Sequence, residues 1–111
     1  MDTKELRKWA EKHSIESRTI KSYWEVFDSY KELEKEEFLE VFGENFDKSK
    51  LRVNLGRVGL FIDAWNVDAD IRGFDYVISY IPILYEDEVI GEYRKGFKLD
   101  GECYDDWFII F

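Results

Sequence analysis

The hydrophobic period of this chain changes once, at Gly43, and that change constrains the fold more than any other feature. Before Gly43, apolar residues recur at three- and four-residue steps, which is the spacing of one helix face. Leu6, Trp9 and Ala10 share one such face. Ile20, Tyr23, Trp24, Phe27, Tyr30 and Leu33 form a longer one, continued by Phe38, Val41 and Phe42. After Gly43 the alternation is two, the period of a half-buried strand.

Local signals place the boundaries. Asp2 or Thr3 caps the first helix, with Glu5 in capping-box spacing from Asp2. That helix ends near His13 and Ser14, and Ser14 or Ser17 caps the next. A break near residues 33–36 would divide the second helix in two. Gly43 is the expected C-cap. Strands are expected at 51–55, 60–65, 74–85, 89–99 and 102–111, with a turn around Gly56 and Gly59 and a polar loop at 66–73. Pro82 removes a ladder donor, so its strand is an edge there or bulged. Val89, Gly91, Tyr93, Lys95, Phe97 and Leu99 are expected on one face. Glu86, Asp87 and Glu88 form a turn, and Asp100-Gly101 predicts a type I′ hairpin.

Helices first and strands afterwards argue an α+β domain. The expected architecture is two or three N-terminal helices on one face of a C-terminal antiparallel meander of four to five strands. It is read as one domain over 1–111, mainly helical over 1–47 and sheet over 51–111.

Composition narrows the function. Of 111 residues 45% are apolar, including nine Phe, seven Tyr and four Trp, enough to offset the ordering entropy of a folded core. No apolar run approaches the roughly 18 residues that span a bilayer. The charged, amphipathic start does not read as a secretory signal. One cysteine cannot form an internal disulfide. A cytoplasmic protein is expected. The net charge is −9, and it is uneven: residues 1–21 carry +2, leaving −11 for the rest. Such a body repels nucleic acid and anionic membranes and attracts basic partners.

Catalytic constellations are thin. His13 and Cys103 are the single His and the single Cys. A Cys–His pair needs both within hydrogen-bond reach and an orienting third group. Asp68, Asp70, Gly73 and Asp75 resemble the start of a calcium loop. Counting from Asp68, however, Arg72 stands at the fifth position and Ser79 at the twelfth. Four nitrogen or sulfur ligands for zinc are not available. Asp63, Asp75 and Glu92, with Arg94 beyond, could serve a two-metal hydrolase. Gly56 and Gly59 lack the lysine of a phosphate loop. The expectation is a non-enzyme without cofactor or metal.

Two binding readings remain. Residues 6–23 have helix-turn-helix spacing at Ala10, Ile15 and Ile20, which would turn Arg18, Thr19 and Lys21 toward a DNA groove. Ser14 stands where a glycine turn is usual. Alternatively, aromatic anchors beside carboxylates would meet a protein partner. The candidate partner-binding residues are Trp65, Asp68, Asp70, Asp75, Tyr85, Glu86, Asp87, Glu88, Glu92, Tyr104, Asp105 and Asp106.

The small size, the acidity, the helix-then-strand order and the run over residues 85–108, with its Asp100-Gly101 hairpin followed by Asp105-Asp106-Trp107, carry a resemblance. They resemble the small immunity proteins of bacterial polymorphic toxin systems. The resemblance implies a cytoplasmic inhibitor that covers the active or substrate-binding surface of a cognate toxin enzyme, a basic protein. A DNA mimic that blocks a nucleic-acid-binding protein shares the same charge signature and is kept as an alternative, beside the DNA-binding regulator.

Overall fold

The computed structural model describes residues 1–66 and 72–111. Three helices precede a five-stranded antiparallel sheet: α1 Thr3–Lys12, α2 Ile15–Leu33, α3 Lys35–Phe42, then β1 Leu51–Val53, β2 Arg57–Phe61, β3 Tyr76–Tyr85, β4 Glu88–Lys98 and β5 Cys103–Ile110. A single 3₁₀ turn, Lys48–Lys50, leads into β1. The expected α+β order is therefore the observed one. The period change at Gly43 marks the end of the helical layer.

Local chemistry explains the helix ends. The Asp2 carboxylate accepts the Glu5 amide at 2.8 Å, satisfying one free donor of the first turn. Ser14 ends one helix and opens the next with a left-handed backbone, φ 53°, and no side-chain cap. The left-handed turn usually given to glycine is thus made by a serine. Glu34 interrupts α2 and α3, so the divided helix is the one found.

The sheet departs from a simple meander. β3, β4 and β5 follow one another as hairpins, but β1 and β2 do not pair with each other. β1 lies along the end of β3, with Leu51 opposite Tyr85, and β2 along its beginning, with Phe61 opposite Tyr76. Pro82 falls between these two stretches. The Gly56 amide reaches the Tyr80 carbonyl at 2.8 Å, so Pro82, two residues on, turns its missing donor toward the same gap. β3 is an interior strand, and Pro82 is tolerated because β1 has ended and β2 has not begun.

The hairpin turns also differ from expectation. The β3–β4 turn has Glu86 at φ 51° and Asp87 at φ 65°, with Tyr85 opposite Glu88. Two left-handed residues between paired ends are the I′ geometry. The β4–β5 turn is longer: the Gly101 amide bonds the Lys98 carbonyl, the Lys98 amide bonds the Glu102 carbonyl, and Gly101 takes φ 92°. That is a type I turn closed by a left-handed glycine. The I′ geometry expected at Asp100-Gly101 is found at Glu86-Asp87 instead. A bulge at Ile90, between the pairs Ile83–Gly91 and Leu84–Val89, shifts the alternation of β4. Val89 is therefore exposed, and Ile90 packs on the core in its place.

α2 and α3 cover one face of the sheet, while α1 packs on α2 and reaches the β4–β5 turn. Tyr23, Phe27 and Tyr30 of α2 and Phe38 and Phe42 of α3 meet Leu51, Ile81, Ile83, Tyr85 and Tyr93. The aromatic rings interlock edge to face, as Phe27 does with Phe38 and Phe42 at 5.9 and 5.8 Å. Leu33, expected on this stripe, is 79% exposed because α2 has passed the edge of the core. Where α2 crosses β3, the buried hydroxyls of Thr19 and Ser79 satisfy each other at 2.8 Å.

Candidate functional site

The structure distributes the predicted partner-binding residues over several places. Tyr85 lines the helix-side core and is closed to solvent, a correction to its expected role as an anchor. Glu86, Asp87 and Glu88 form the exposed tip of the β3–β4 hairpin, where Asp87 pairs with Arg52. Asp75 closes the base of the β2–β3 loop: its carboxylate accepts the Asp63 amide at 3.0 Å, while Asp63 accepts the Gly73 amide at 2.8 Å. Trp65, on that loop, is 69% exposed. Asp68 and Asp70 lie outside the described residues. Glu92 and Tyr104 lie on the sheet face opposite the helices. Asp105 and Asp106 lie on β5; Asp106 accepts the Tyr93 hydroxyl at 2.6 Å. The acidic–aromatic surface expected from the sequence is therefore not one surface.

Two surfaces emerge instead. The first is the uncovered sheet face. Alternation turns Tyr76, Ile78, Tyr80, Pro82 and Leu84 away from the helices, and register adds Arg57, Phe61, Glu92, Arg94 and Trp107. The Gly59 and Gly96 positions flank Ile78, and the vacant space above them is filled by the rings of Phe61 and Tyr104. Arginines lie on the rings. The guanidinium of Arg57 stands 4.2 Å from the Tyr80 centroid and that of Arg94 5.5 Å from it, and both bond Glu92. Arg72 lies 4.7 Å from Tyr76 and 5.6 Å from Trp107. Burial under these groups raises the Tyr104 phenol pKa above its usual range.

The second surface is the outer side of the helical layer. Residues 22–44 carry eight carboxylates against Lys31 and Lys35, a balance of −6, and every one of those carboxylates is exposed. Two apolar side chains stand among them: Leu33, and Leu39 at 48% exposure. Sequence reading missed this concentration because it sought carboxylates beside tyrosines. The signal was present, since two-thirds of the net charge falls within one-fifth of the chain.

Within the helix-turn-helix-like segment, Arg18 and Thr19 make contacts inside the fold. Arg18 donates to the carbonyls of His13 and Gly101, each at 3.0 Å, and its guanidinium lies 4.8 Å over Phe97. Thr19 is buried against Ser79. Trp9 donates its indole N–H to the Leu99 carbonyl at 2.8 Å, and the His13 ring rests on Trp9 and Gly101. These contacts pin the α1–α2 corner onto the β4–β5 turn. Of the three expected groove-facing residues, Lys21 alone is exposed.

The catalytic expectations find no assembly. The Cys103 thiol turns to the Asp105 carbonyl, and His13 is engaged as above. Among the described residues, no three His, Cys, Asp or Glu side chains gather as a metal-holding group. Glu92 and Arg94 are tied to each other, while Asp63 and Asp75 are spent on loop amides. A groove of about 700 Å³ runs between α1, the start of α2 and residues 55–58, with Leu6, Ala10 and Ile15 on its walls. No helix among the described residues is long and apolar enough to cross a membrane. Comparison with known proteins finds no matching family model, curated protein or solved structure.

Proposed function

We propose that this chain is a non-catalytic inhibitor that binds a basic partner enzyme through the outer side of α2 and α3, in the manner of an immunity protein covering its toxin. One observation carries the reading: an exposed balance of −6 over residues 22–44 that surrounds exposed Leu33 and Leu39. An apolar centre inside a charged rim is the anatomy of a transient protein interface. The carboxylates speed encounter with a cationic surface, and the leucines lengthen the complex once water is expelled. Barnase and barstar are the reference example of such steering.

The experiment is capture from a lysate of the source cell, with nuclease treatment, using the native chain and the variant Glu32→Lys/Glu36→Lys/Glu40→Lys. These three positions are exposed, so the variant keeps its fold. The expected result is a stoichiometric basic enzyme that survives nuclease, is released by salt, is inhibited by the native chain and is not retained by the variant. Equal retention by both chains, or a captured enzyme whose activity is unaffected, contradicts the proposal.

A further inference from the structure

The uncovered sheet face is a second interaction surface, and its chemistry is opposite to that of the helical layer. In an antiparallel sheet with one solvated face, the outward positions of the strands are ordinarily polar. Here β3 sends out Tyr76, Ile78, Tyr80, Pro82 and Leu84 in succession, and β5 adds Trp107. The polar groups among them are chiefly cationic. At the centre, among the described residues, Arg57, Arg72 and Arg94 face one carboxylate, that of Glu92. At the margins, Arg52 and Lys98 are paired with Asp87 and Glu102, and register adds Asp105. The centre is therefore positive on a chain whose net charge is −9.

The geometry of the arginines decides what suits this face. Glu92 is 14% exposed and holds Arg94 at 2.8 Å and Arg57 at 3.4 Å. The side chain of Arg57 is nevertheless 68% exposed while its guanidinium lies over Tyr80. The Arg57 guanidinium thus rests against a ring while most of its side chain stays open to solvent. Stacking of this kind orders the group before any partner arrives, so less entropy is lost when it bonds a carboxylate.

We propose that this face docks an acidic polypeptide segment, with carboxylates on Arg57 and Arg94 and apolar side chains over Trp107. Single-stranded nucleic acid is the other anionic chain that aromatic sheets receive. It fits less well on two counts. Bases stack on open ring faces, and here Arg57 and Arg94 both lie against the Tyr80 ring. A polyphosphate also meets the field of the whole acidic chain at every nucleotide, whereas a few carboxylates meet it only locally. The surface is separate from residues 22–44, so the two proposals fail independently.

The test uses the full chain, isotopically labelled, and follows the arginine side-chain N–H and Trp107 indole signals by NMR. The probe is a short peptide alternating glutamate and valine. The controls are the lysine–valine analogue and oligothymidylate. The account expects saturable shifts at Arg57, Arg94 and Trp107 with the glutamate peptide only. Arg57→Gln, at an exposed position, is expected to weaken binding by about tenfold without unfolding the chain. Four results overturn the proposal: no shift with the glutamate peptide, stronger shifts with oligothymidylate, affinity unchanged in Arg57→Gln, or concentration-dependent shifts without any probe, which would place a second copy on the face.

Discussion

On the covered face of the sheet, Tyr93 is fully buried against Tyr23 of α2, with ring centroids 5.9 Å apart. One register step away, on the opposite face, Tyr80 lies between Arg57 and Arg94. The residue type is the same and the strands are neighbours, yet the physical roles differ. Tyr93 is enclosed by other rings and gives its hydroxyl to Asp106. Tyr80 is half-buried, with the guanidinium groups of Arg57 and Arg94 against it. The same contrast separates Phe27, sealed among aromatic rings of α2 and α3, from Phe61, which stacks on Tyr76 at 5.2 Å on the uncovered side. Rings beneath the helices are sealed from solvent, whereas those of Tyr80 and Phe61 on the uncovered side are only half-buried.

The comparison can be broken most forcefully at Phe27. Truncation of Phe27 to alanine removes the ring that joins α2 to α3 and costs about 3–5 kcal/mol, read by urea unfolding. A cost below that of an ordinary surface change would mean that the helical layer is not the main core. A smaller effect is expected at the α1–α2 corner. Replacing Arg18 with Met removes two part-buried hydrogen bonds to carbonyls while keeping the stem over Phe97. The loss is about 1–3 kcal/mol. A chain that keeps its full stability would return Arg18 to the pool of free cations and favour the DNA-binding alternative.

Alkaline titration sharpens the covered side. Burial pushes the Tyr30 phenol up to about 12, helped by Glu37, and raises those of Tyr23 and Tyr93 further. A phenol raised in the folded state holds its proton above pH 10, where the unfolded chain has released it. The stability these phenols contribute is therefore constant below about pH 10 and falls as the pH rises through the folded values. Unfolding at pH 11 should release protons, and Tyr23→Phe should flatten the slope. A stability independent of pH from 9 to 12 would contradict the burial of these three rings. The smallest effect is that of Tyr23→Phe at neutral pH. The Tyr23 hydroxyl is buried without a hydrogen-bond partner among the described residues. Its removal is expected to leave stability unchanged or to raise it by about 1 kcal/mol, measured by thermal unfolding.

Much of the fold was legible because it rests on periodicity. The switch at Gly43, the Asp2 cap and the division near residue 34 all follow from local patterns that tertiary contacts did not override. The site was less legible because it depends on side-chain direction. Alternation shows that Tyr80 and Tyr93 face opposite ways, but not which of them the helices cover. Ile90 shows a second limit, since a bulge moves every later side chain to the other face and leaves no composition signal. The turns show a third. Glu86 and Asp87 accept left-handed backbone because the strands on either side require it, while Asp100-Gly101 carried the stronger local signal and took a longer loop. Arg18 and Thr19 had the spacing of groove readers, and only the position of the β4–β5 turn shows that the fold uses them internally.

The most direct test of the division between the two faces is a pair of alanine substitutions one register step apart, Tyr93→Ala and Tyr80→Ala, compared by urea unfolding of the full chain. The account predicts a loss of about 3–5 kcal/mol for Tyr93 and about 1 kcal/mol for Tyr80, with an unchanged dependence on denaturant for the second. Equal losses would contradict it, because the uncovered face would then be a second structural core rather than a surface left for a partner.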